Sequence, residues 1–212
     1  MKATFGPPPG AVIPSYIDSM SGMMKQFGQE SVQSSLQGRY HQNMQELMSR
    51  YSQMPDLLLW NQGGNFIELL LEARTDYVQA YYWSAVAVCG MVVESLCRDI
   101  AKFRTDYAEF ARIIGDKYIH EAINCLKDNG FFWQKPTSKL MHEIMSVRND
   151  YVHVKKSKID KVDVLNILIK TNLVVIAEFG LMPGSSGSVV RVDRTFFDKR
   201  AVSLGIKISE YW

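Results

Sequence analysis

The feature that most constrains this chain is the run Tyr81–Val93, in which nearly every residue is apolar or small. Wound into a helix, such a run is apolar almost all round, as in the central helix of a bundle. The pattern extends back to Phe66 and on to about Phe103, with Asn65 suited to cap its start, and a break near Ala80 would divide it into two helices. The run therefore predicts an all-α helical bundle.

Three further helices are predicted downstream of this run, and they cover residues 107–129, 138–154 and about 160–180. Gly130 closes the first, because glycine readily takes the left-handed conformation that ends helices. Thr137 or Ser138 can cap the second, and Asp160 or Asp163 can cap the third. With the long apolar pattern before them, these helices complete the bundle.

Composition divides the chain into three parts, residues 1–60, 61–182 and 183–212. The first is an N-terminal extension rich in Pro, Met, Gln and Ser, expected to be partly flexible with weak helices broken near Gly28 or Gly38. The second is the helical bundle. The third combines a flexible linker with a basic and aromatic tail, in which alternating apolar residues predict a short C-terminal β-hairpin.

Charge and cysteine content narrow the function only a little. The net charge of +2 means that any preference for nucleic acid must come from a local basic patch. Cys89, Cys97 and Cys125 have no metal-ligand spacing, which predicts buried thiols in a reducing compartment, the cytoplasm. We expect no metal or other cofactor and, because no apolar run is long enough to span a bilayer, no membrane association.

The helix predicted over residues 138–154 has two faces of different chemistry. At about 100° per residue, one stripe about 80° wide is apolar and predicts a core contact. This apolar stripe consists of Leu140, Ile144, Val147, Tyr151 and Val154. The opposite stripe consists of His142, Ser146, Asn149 and His153. These side chains hydrogen-bond or titrate, and a face so poor in charge suits burial against a second subunit.

The end of this helix, Arg148-Asn149-Asp150-Tyr151-Val152-His153, concentrates the chemistry of the chain. Asn149 and His153 are four residues apart and share a face, so they form the natural pair. Arg148 lies about 140° round the helix from His153, at the flank between the two stripes. Its long stem can cover apolar surface while the guanidinium reaches round to a shared ligand.

Arg148 and Asn149 followed after a short interval by His153 resemble the signature of the HEPN superfamily, an Arg, a polar residue and then a His. The resemblance covers roughly residues 66–180 and implies a helical bundle that is commonly dimeric. Glu94 resembles the acidic residue that the family tends to carry in an apolar helix before the motif. Lys155 stands where one subtype has a Tyr shortly beyond the His, so regulation by tyrosine modification is not implied.

The resemblance implies metal-independent cleavage of RNA by a homodimer in which the Arg and His of two subunits meet. It also implies a toxin or anti-phage defence effector, with a cognate antitoxin or defence partner protein. The residue types suit this chemistry, because histidine titrates near neutral pH and can take a proton from a ribose 2′-hydroxyl or deliver one to the leaving 5′-oxygen. Arg148 can hold a phosphate oxygen, and Asn149 can orient His153 or the phosphate.

Other polar residues are expected to assist. The supporting residues are Glu94, Tyr151, His142 and Ser146. The lysines expected to bind RNA are Lys155, Lys156 and Lys158, which follow the motif directly. The tail mixes cations and aromatic rings in a way compatible with single-stranded nucleic acid, namely Arg191, Arg194, Lys199 and Arg200 with Phe196 and Phe197.

Each of these features also has a simpler interpretation. A motif of this length occurs by chance on bundle helices, Glu94 can pair with Arg98 four residues on, and the lysines can belong to a solvated loop. His41 and His120 have no convergent partners in the sequence. The alternative function is a non-catalytic helical module for dimerisation, protein binding or RNA binding in a defence system. A more remote alternative is a regulatory subunit whose Met-rich N-terminal region packs on a partner.

Overall fold

The computed structural model describes residues 37–38, 41–55, 64–115, 117–153, 158–183 and 189–211. The chain divides into two compact units, residues 1–48 and 49–212. The described residues of the first unit, 37–38 and 41–48, are helical, and because residues 39–40 lie outside the described residues, the predicted break near Gly38 stays a prediction. The other predicted break, near Gly28, lies outside the described residues.

The fold is an all-α bundle, as the apolar pattern predicts. The helices are α1 (41–53), α2 (Asn65–Val78), α3 (Tyr82–Arg104), α4 (Tyr107–Ile114), α5 (Ile119–Asp128), α6 (Thr137–Val152), α7 (Lys161–Phe179) and α8 (Arg194–Ser203). A short antiparallel pair joins β1 (Leu181–Pro183) to β2 (Val189–Arg191), and a 3₁₀ turn (Ile208–Tyr211) follows α8. Among the described helices, none combines the length and apolar character required to cross a bilayer.

The long helical pattern that begins at Asn65 is divided at Ala80, which confirms the predicted break. Ala80 has a φ of 64°, a left-handed conformation that no α-helix can continue. The chain therefore turns, and α2 packs along α3. The predicted cap was wrong by one position, because Gly64 occupies the cap site without a side-chain hydrogen bond and Asn65 is the first helical residue.

Helix α3 is central to the bundle, as its composition predicts. It packs against α2, α4, α5, α6 and α7. Trp83 and Met91 are nevertheless exposed on its outer side, so the helix is not surrounded completely. Helix α7 is buried more fully, since every residue from 171 to 180 is buried. The centre of the fold is therefore shared by α3 and α7.

The single helix predicted over residues 107–129 is wrong, because two helices occupy this span. Helix α4 ends at Gly115, whose φ of 12° and ψ of −134° are not helical, and α5 starts at Ile119. The interruption lets two strongly amphipathic helices turn their apolar sides inward separately. Gly130 does follow the end of α5 in the left-handed conformation, with a φ of 70°, as predicted.

The caps of α6 and α7 differ from each other in kind. Asp160 caps α7 as predicted, accepting a hydrogen bond from the Val162 backbone at 2.8 Å. Neither Thr137 nor Ser138 caps α6 with its side chain. The Thr137 hydroxyl donates instead to the carboxylate of Glu178 at 2.6 Å. The start of α6 is thus tied to α7 by a tertiary contact and not by a local cap.

The predicted C-terminal hairpin exists and includes Val190, but the alternating apolar residues further along the tail are not part of it. Leu181 lies opposite Arg191 in the pair formed by β1 and β2. The alternating apolar residues at 202–208 form the end of α8, a turn and the start of the 3₁₀ segment. Phe197 and Ala201, four residues apart, are both buried, and this helical spacing decided the outcome. The predicted linker at 184–188 lies outside the described residues.

A buried carboxylate connects three helices at one end of the bundle. Glu178 in α7 is fully buried as a side chain, and Arg104 at the end of α3 donates to it at 2.6 Å. Thr137 and the backbone of Trp133 and Gln134 donate to the same carboxylate. Four residues thereby satisfy a charge that would otherwise be costly to bury.

We predict that Arg104→Met lowers the free energy of unfolding by about 3–5 kcal/mol, because it leaves the Glu178 carboxylate buried without its cation. Urea denaturation monitored by circular dichroism measures the change. Arg112→Met is the matched control, since Arg112 pairs with Glu109 on the exposed surface and its loss should leave the free energy unchanged. A loss below about 1 kcal/mol for Arg104→Met would contradict the proposed importance of this network.

Candidate functional site

The C-terminal end of α6 delivers the predicted motif to a cleft of about 520 Å³. Arg148, Asn149 and His153 all line it, and Glu94 lines it from α3. His153 is exposed and occupies the position just after α6, where its backbone N–H donates to the Asn149 carbonyl at 3.0 Å. The structure therefore brings the predicted Arg, Asn, His and Glu together around one space.

Arg148 is held in place by an unusually close contact with α3. A Cβ atom placed on Gly90 would lie 2.9 Å from Arg148 Cγ, so only glycine at position 90 lets the Arg148 stem cross α3 here. The guanidinium donates to Asn149 Oδ1 at 3.0 Å. Arg148 Nε is buried and has no hydrogen-bond partner among the described residues. The cation is thus fixed by packing and retains an unused donor.

Asn149 has a different partner from the one that helical spacing suggested. Its amide oxygen accepts from Arg148, whereas the sequence predicted Asn149 and His153 as the natural pair. The two residues remain connected through the backbone hydrogen bond at the end of α6. Asn149 therefore orients the guanidinium, and the imidazole of His153 projects into the cleft beside it.

Glu94 belongs to the cleft, and no ion pair joins it to Arg98 among the described residues. The simpler interpretation of Glu94 as the partner of Arg98 is therefore wrong. Burial raises the pKa of the neighbouring Cys97 thiol, and the carboxylates of Glu94 and Glu178 raise it further. Cys97 lines the cleft as a protonated thiol and offers no nucleophile.

The other two members of the predicted polar stripe lie elsewhere. His142 and Ser146 line a separate groove of about 460 Å³, together with Asn124 and Lys127. They do not line the cleft with His153, so the predicted stripe does not form one continuous site surface, and any support from these residues must be indirect. The reason is that α5 packs against α6 and divides what a helical projection shows as one face.

Tyr151 is a core residue and not part of the site, which corrects another prediction. Its side chain is buried, and its hydroxyl donates to Asp163 Oδ2 at 2.9 Å. The exposed Trp83 meets its ring edge to face at 5.5 Å. These contacts follow from its place on the apolar stripe, where Leu140 and Ile144 are also buried.

His120 is the functional candidate that the sequence did not reveal. It lies in α5, lines the same cleft as Arg148 and His153, and stacks on His142 with ring planes 6° apart. The two Nδ1 atoms are 3.0 Å apart, and His142 Nε2 lies 2.9 Å from Asn124 Oδ1. No spacing in the sequence relates these histidines, because helix packing alone brings them together.

The charges around the cleft favour an anion. Arg98 and Lys117 line it in addition to Arg148, whereas Glu94 is the one acidic side chain among its described lining residues. Lys158, predicted to bind RNA, is exposed just beyond the motif. Lys155 and Lys156 lie outside the described residues. A polyanion could therefore contact cations from three parts of the chain.

The tail offers less to nucleic acid than the sequence suggested. Phe197 is fully buried and Phe196 is half-buried, so neither presents the open ring face that stacking on bases requires. The Arg191 guanidinium lies 4.7 Å from the centre of the Trp133 ring. The predicted mixture of cations and stacking rings in the tail is therefore wrong as regards the rings.

Comparison of the chain with protein-family models, with curated proteins and with solved structures gives no match. Within the part of the chain that the structure describes, no group of three or more His, Cys, Asp or Glu side chains is arranged to hold a metal ion. The function of the cleft therefore has to be inferred from its own geometry and residue chemistry.

We predict that the effect of Gly90→Ala depends on Arg148. In an Arg148→Ala background the substitution should stabilise the protein by about 0.5–1 kcal/mol, because alanine is the better helix former. In the wild-type background this gain should vanish or reverse, since the Arg148 stem must move. A double-mutant cycle of urea denaturation measures the coupling, and equal gains in both backgrounds would disprove the close contact.

We predict that His142 makes stability depend on pH. Burial lowers its pKa below the ordinary 6.5, and the nearby charges of His120 and Lys127 lower it further. Between 6.5 and the lowered value, the unfolded chain binds a proton that the folded chain does not, so the free energy of unfolding falls as the pH falls. Urea denaturation at a series of pH values measures this dependence. Below pH 6.5 the free energy of unfolding of His142→Gln should fall less steeply than that of wild type, and above pH 6.5 the two should change with pH in the same way.

Proposed function

We propose that this protein is a metal-independent endoribonuclease that cleaves RNA by attack of the ribose 2′-hydroxyl on the adjacent phosphate. The observation that carries the proposal is the convergence of Arg148, Asn149, His153 and Glu94 on one cleft. The resemblance of the motif to the HEPN superfamily supports the same activity. A 2′,3′-cyclic phosphate is the expected product.

The role of Arg148 follows from how it is held. Its guanidinium is oriented by Gly90 and Asn149 before any ligand arrives. A guanidinium that is already held in place can donate from its terminal NH₂ groups to a phosphate oxygen and loses little side-chain freedom in doing so. Negative charge builds on the phosphate oxygens in the transition state, so an oriented cation lowers the barrier.

His153 supplies proton transfer in this scheme. Its side chain is exposed and lines the same cleft as Arg148, and an imidazole can accept or donate a proton near neutral pH. Arg98 and Lys117, on the lining of the same cleft, would hold flanking phosphates. Glu94 would balance the charge of Arg148 and restrict where the phosphate can sit.

We propose further that the active form is a homodimer in which two such clefts adjoin. Exposed apolar side chains border the cleft residues, with Met91 one helical turn before Glu94 and Val152 directly before His153. Apolar side chains in such positions are typical of surfaces that contact another chain. The resemblance to the HEPN superfamily also favours a toxin or anti-phage defence effector working with a partner protein.

We predict that wild-type protein cleaves labelled RNA in excess chelator, and that Arg148→Ala and His153→Ala each reduce the rate about 100-fold or more, as loss of a charge donor or a proton-transfer group does. Arg112→Ala, which removes an exposed cation that pairs with Glu109 and does not line the cleft, is the matched control and should cleave normally. End-group analysis of the product tests for the cyclic phosphate, and arrested growth of cells expressing wild type but not His153→Ala tests the toxin role.

Two outcomes would overturn the proposal. Equal cleavage by wild type and both variants would identify a contaminating nuclease. Binding of RNA without cleavage, across substrates of varied sequence and structure, would identify a non-catalytic helical module. If sedimentation at the concentration used for cleavage showed a single species with the mass of a monomer, the proposal of an active homodimer would be wrong.

A further inference from the structure

Cleavage by a 2′-hydroxyl needs a base for the hydroxyl proton and an acid for the leaving oxygen, and His153 is only one group. A second imidazole lines the same cleft, that of His120 in α5. It is not part of the motif on α6, and it reaches the cleft from α5, which packs against α6. The cleft of a single chain therefore holds two groups able to transfer protons near neutral pH.

The hydrogen bonds of His120 determine which of its nitrogens is available. Asn124 is oriented with its amide oxygen 2.9 Å from His142 Nε2, and this orientation assigns the proton to Nε2. Neutral His142 then has a bare Nδ1, which accepts from Nδ1–H of His120 at 3.0 Å. Neutral His120 is left with an unprotonated Nε2, which has no hydrogen-bond partner among the described residues.

We propose that His120 is the general base of the reaction and His153 the general acid, with His142 and Asn124 as positioning residues. This inference rests on the ribonuclease activity proposed above. His120 Nε2 takes the proton of the ribose 2′-hydroxyl as the 2′-oxygen forms a bond to phosphorus. The bond between phosphorus and the 5′-oxygen breaks, and that oxygen takes a proton from the imidazolium of His153.

The hydrogen bonds that join His120 to His142 and His142 to Asn124 suit a general base, because they are kept when the base takes up a proton. Once Nε2 is protonated, His120 still donates through Nδ1 to His142, so the ring keeps its orientation and its new charge is directed at a lone pair. His142 has to remain neutral for this, and its burial favours the neutral form. The charged groups that line the cleft together with the base are Glu94, Arg98, Lys117 and Arg148.

The test replaces the leaving oxygen by sulfur. A short RNA is prepared with the linkage that wild type cuts, and a second copy carries a bridging 5′-phosphorothiolate at that linkage. A thiolate leaves without protonation, so the acid becomes unnecessary while the base does not. His153→Ala should lose about 100-fold or more on the oxygen substrate and less than about 10-fold on the sulfur substrate.

His120→Ala should lose about 100-fold or more on both substrates. His142→Gln should lose less than His120→Ala on both, because the base is then present but no longer oriented. Glu121→Gln, an exposed change beside His120 on the same helix, is the matched control and should match wild type. Urea denaturation of each variant confirms that it is folded, and the sulfur rescue of His153→Ala cannot result from a structural defect.

Mixing two inactive variants tests whether both groups belong to one cleft. A mixed dimer of His120→Ala and His153→Ala has no chain with both imidazoles, so it should remain inactive. Recovery of activity on mixing would show that the base and the acid come from different subunits and would overturn the inference.

Other outcomes separate the two proposals. Wild-type rates for His120→Ala, with activity lost in Arg148→Ala and His153→Ala, would leave the ribonuclease proposal intact and remove His120 from it. Sulfur rescue of His120→Ala would reverse the assignment of acid and base and so overturn it. A wild-type protein that cleaves no RNA would overturn both.

Discussion

The architecture depends on the burial of one charge, the carboxylate of Glu178. An ionised carboxylate tolerates an apolar interior only when donors surround it, and here the donors come from the end of α3, the start of α6 and the segment between α5 and α6. If one of these parts shifted without the others, the buried carboxylate would lose a hydrogen-bond donor. Helix α6 is therefore anchored at Thr137, and the rigidity of its sixteen residues fixes where its other end must lie.

At that other end, the candidate site depends on the absence of a side chain. Gly90 costs α3 helix stability, because glycine is among the weakest helix formers, and it packs nothing of its own. It leaves room for Arg148 to lie against the helix backbone with its guanidinium turned to Asn149. The same crossing places Glu94, one turn further along α3, beside the motif. A local loss of helix propensity thus permits the close packing that orders the site.

Local signals predicted much of the fold and only part of the site. The break at Ala80 and the cap at Asp160 could be predicted from the sequence, because each involves neighbouring residues. The division of residues 107–129 at Gly115 could not be predicted, since a lone glycine in a helical pattern is often tolerated. The prediction that the polar stripe of α6 forms one site was wrong for another reason. A helical projection shows which residues share a face, but not that α5 would separate His142 from His153.

The sequence by itself determined the bundle, its apolar centre and the polar end of α6, because side-chain periodicity along a helix is a local property. It also identified Arg148 and His153 as the residues with chemistry to offer. Only the tertiary structure decided which residues join them: it added His120, placed Glu94 on the same cleft and gave Asn149 to Arg148. The physical reason is that residues from α3, α5 and α6 meet through helix packing, which no spacing within one helix encodes.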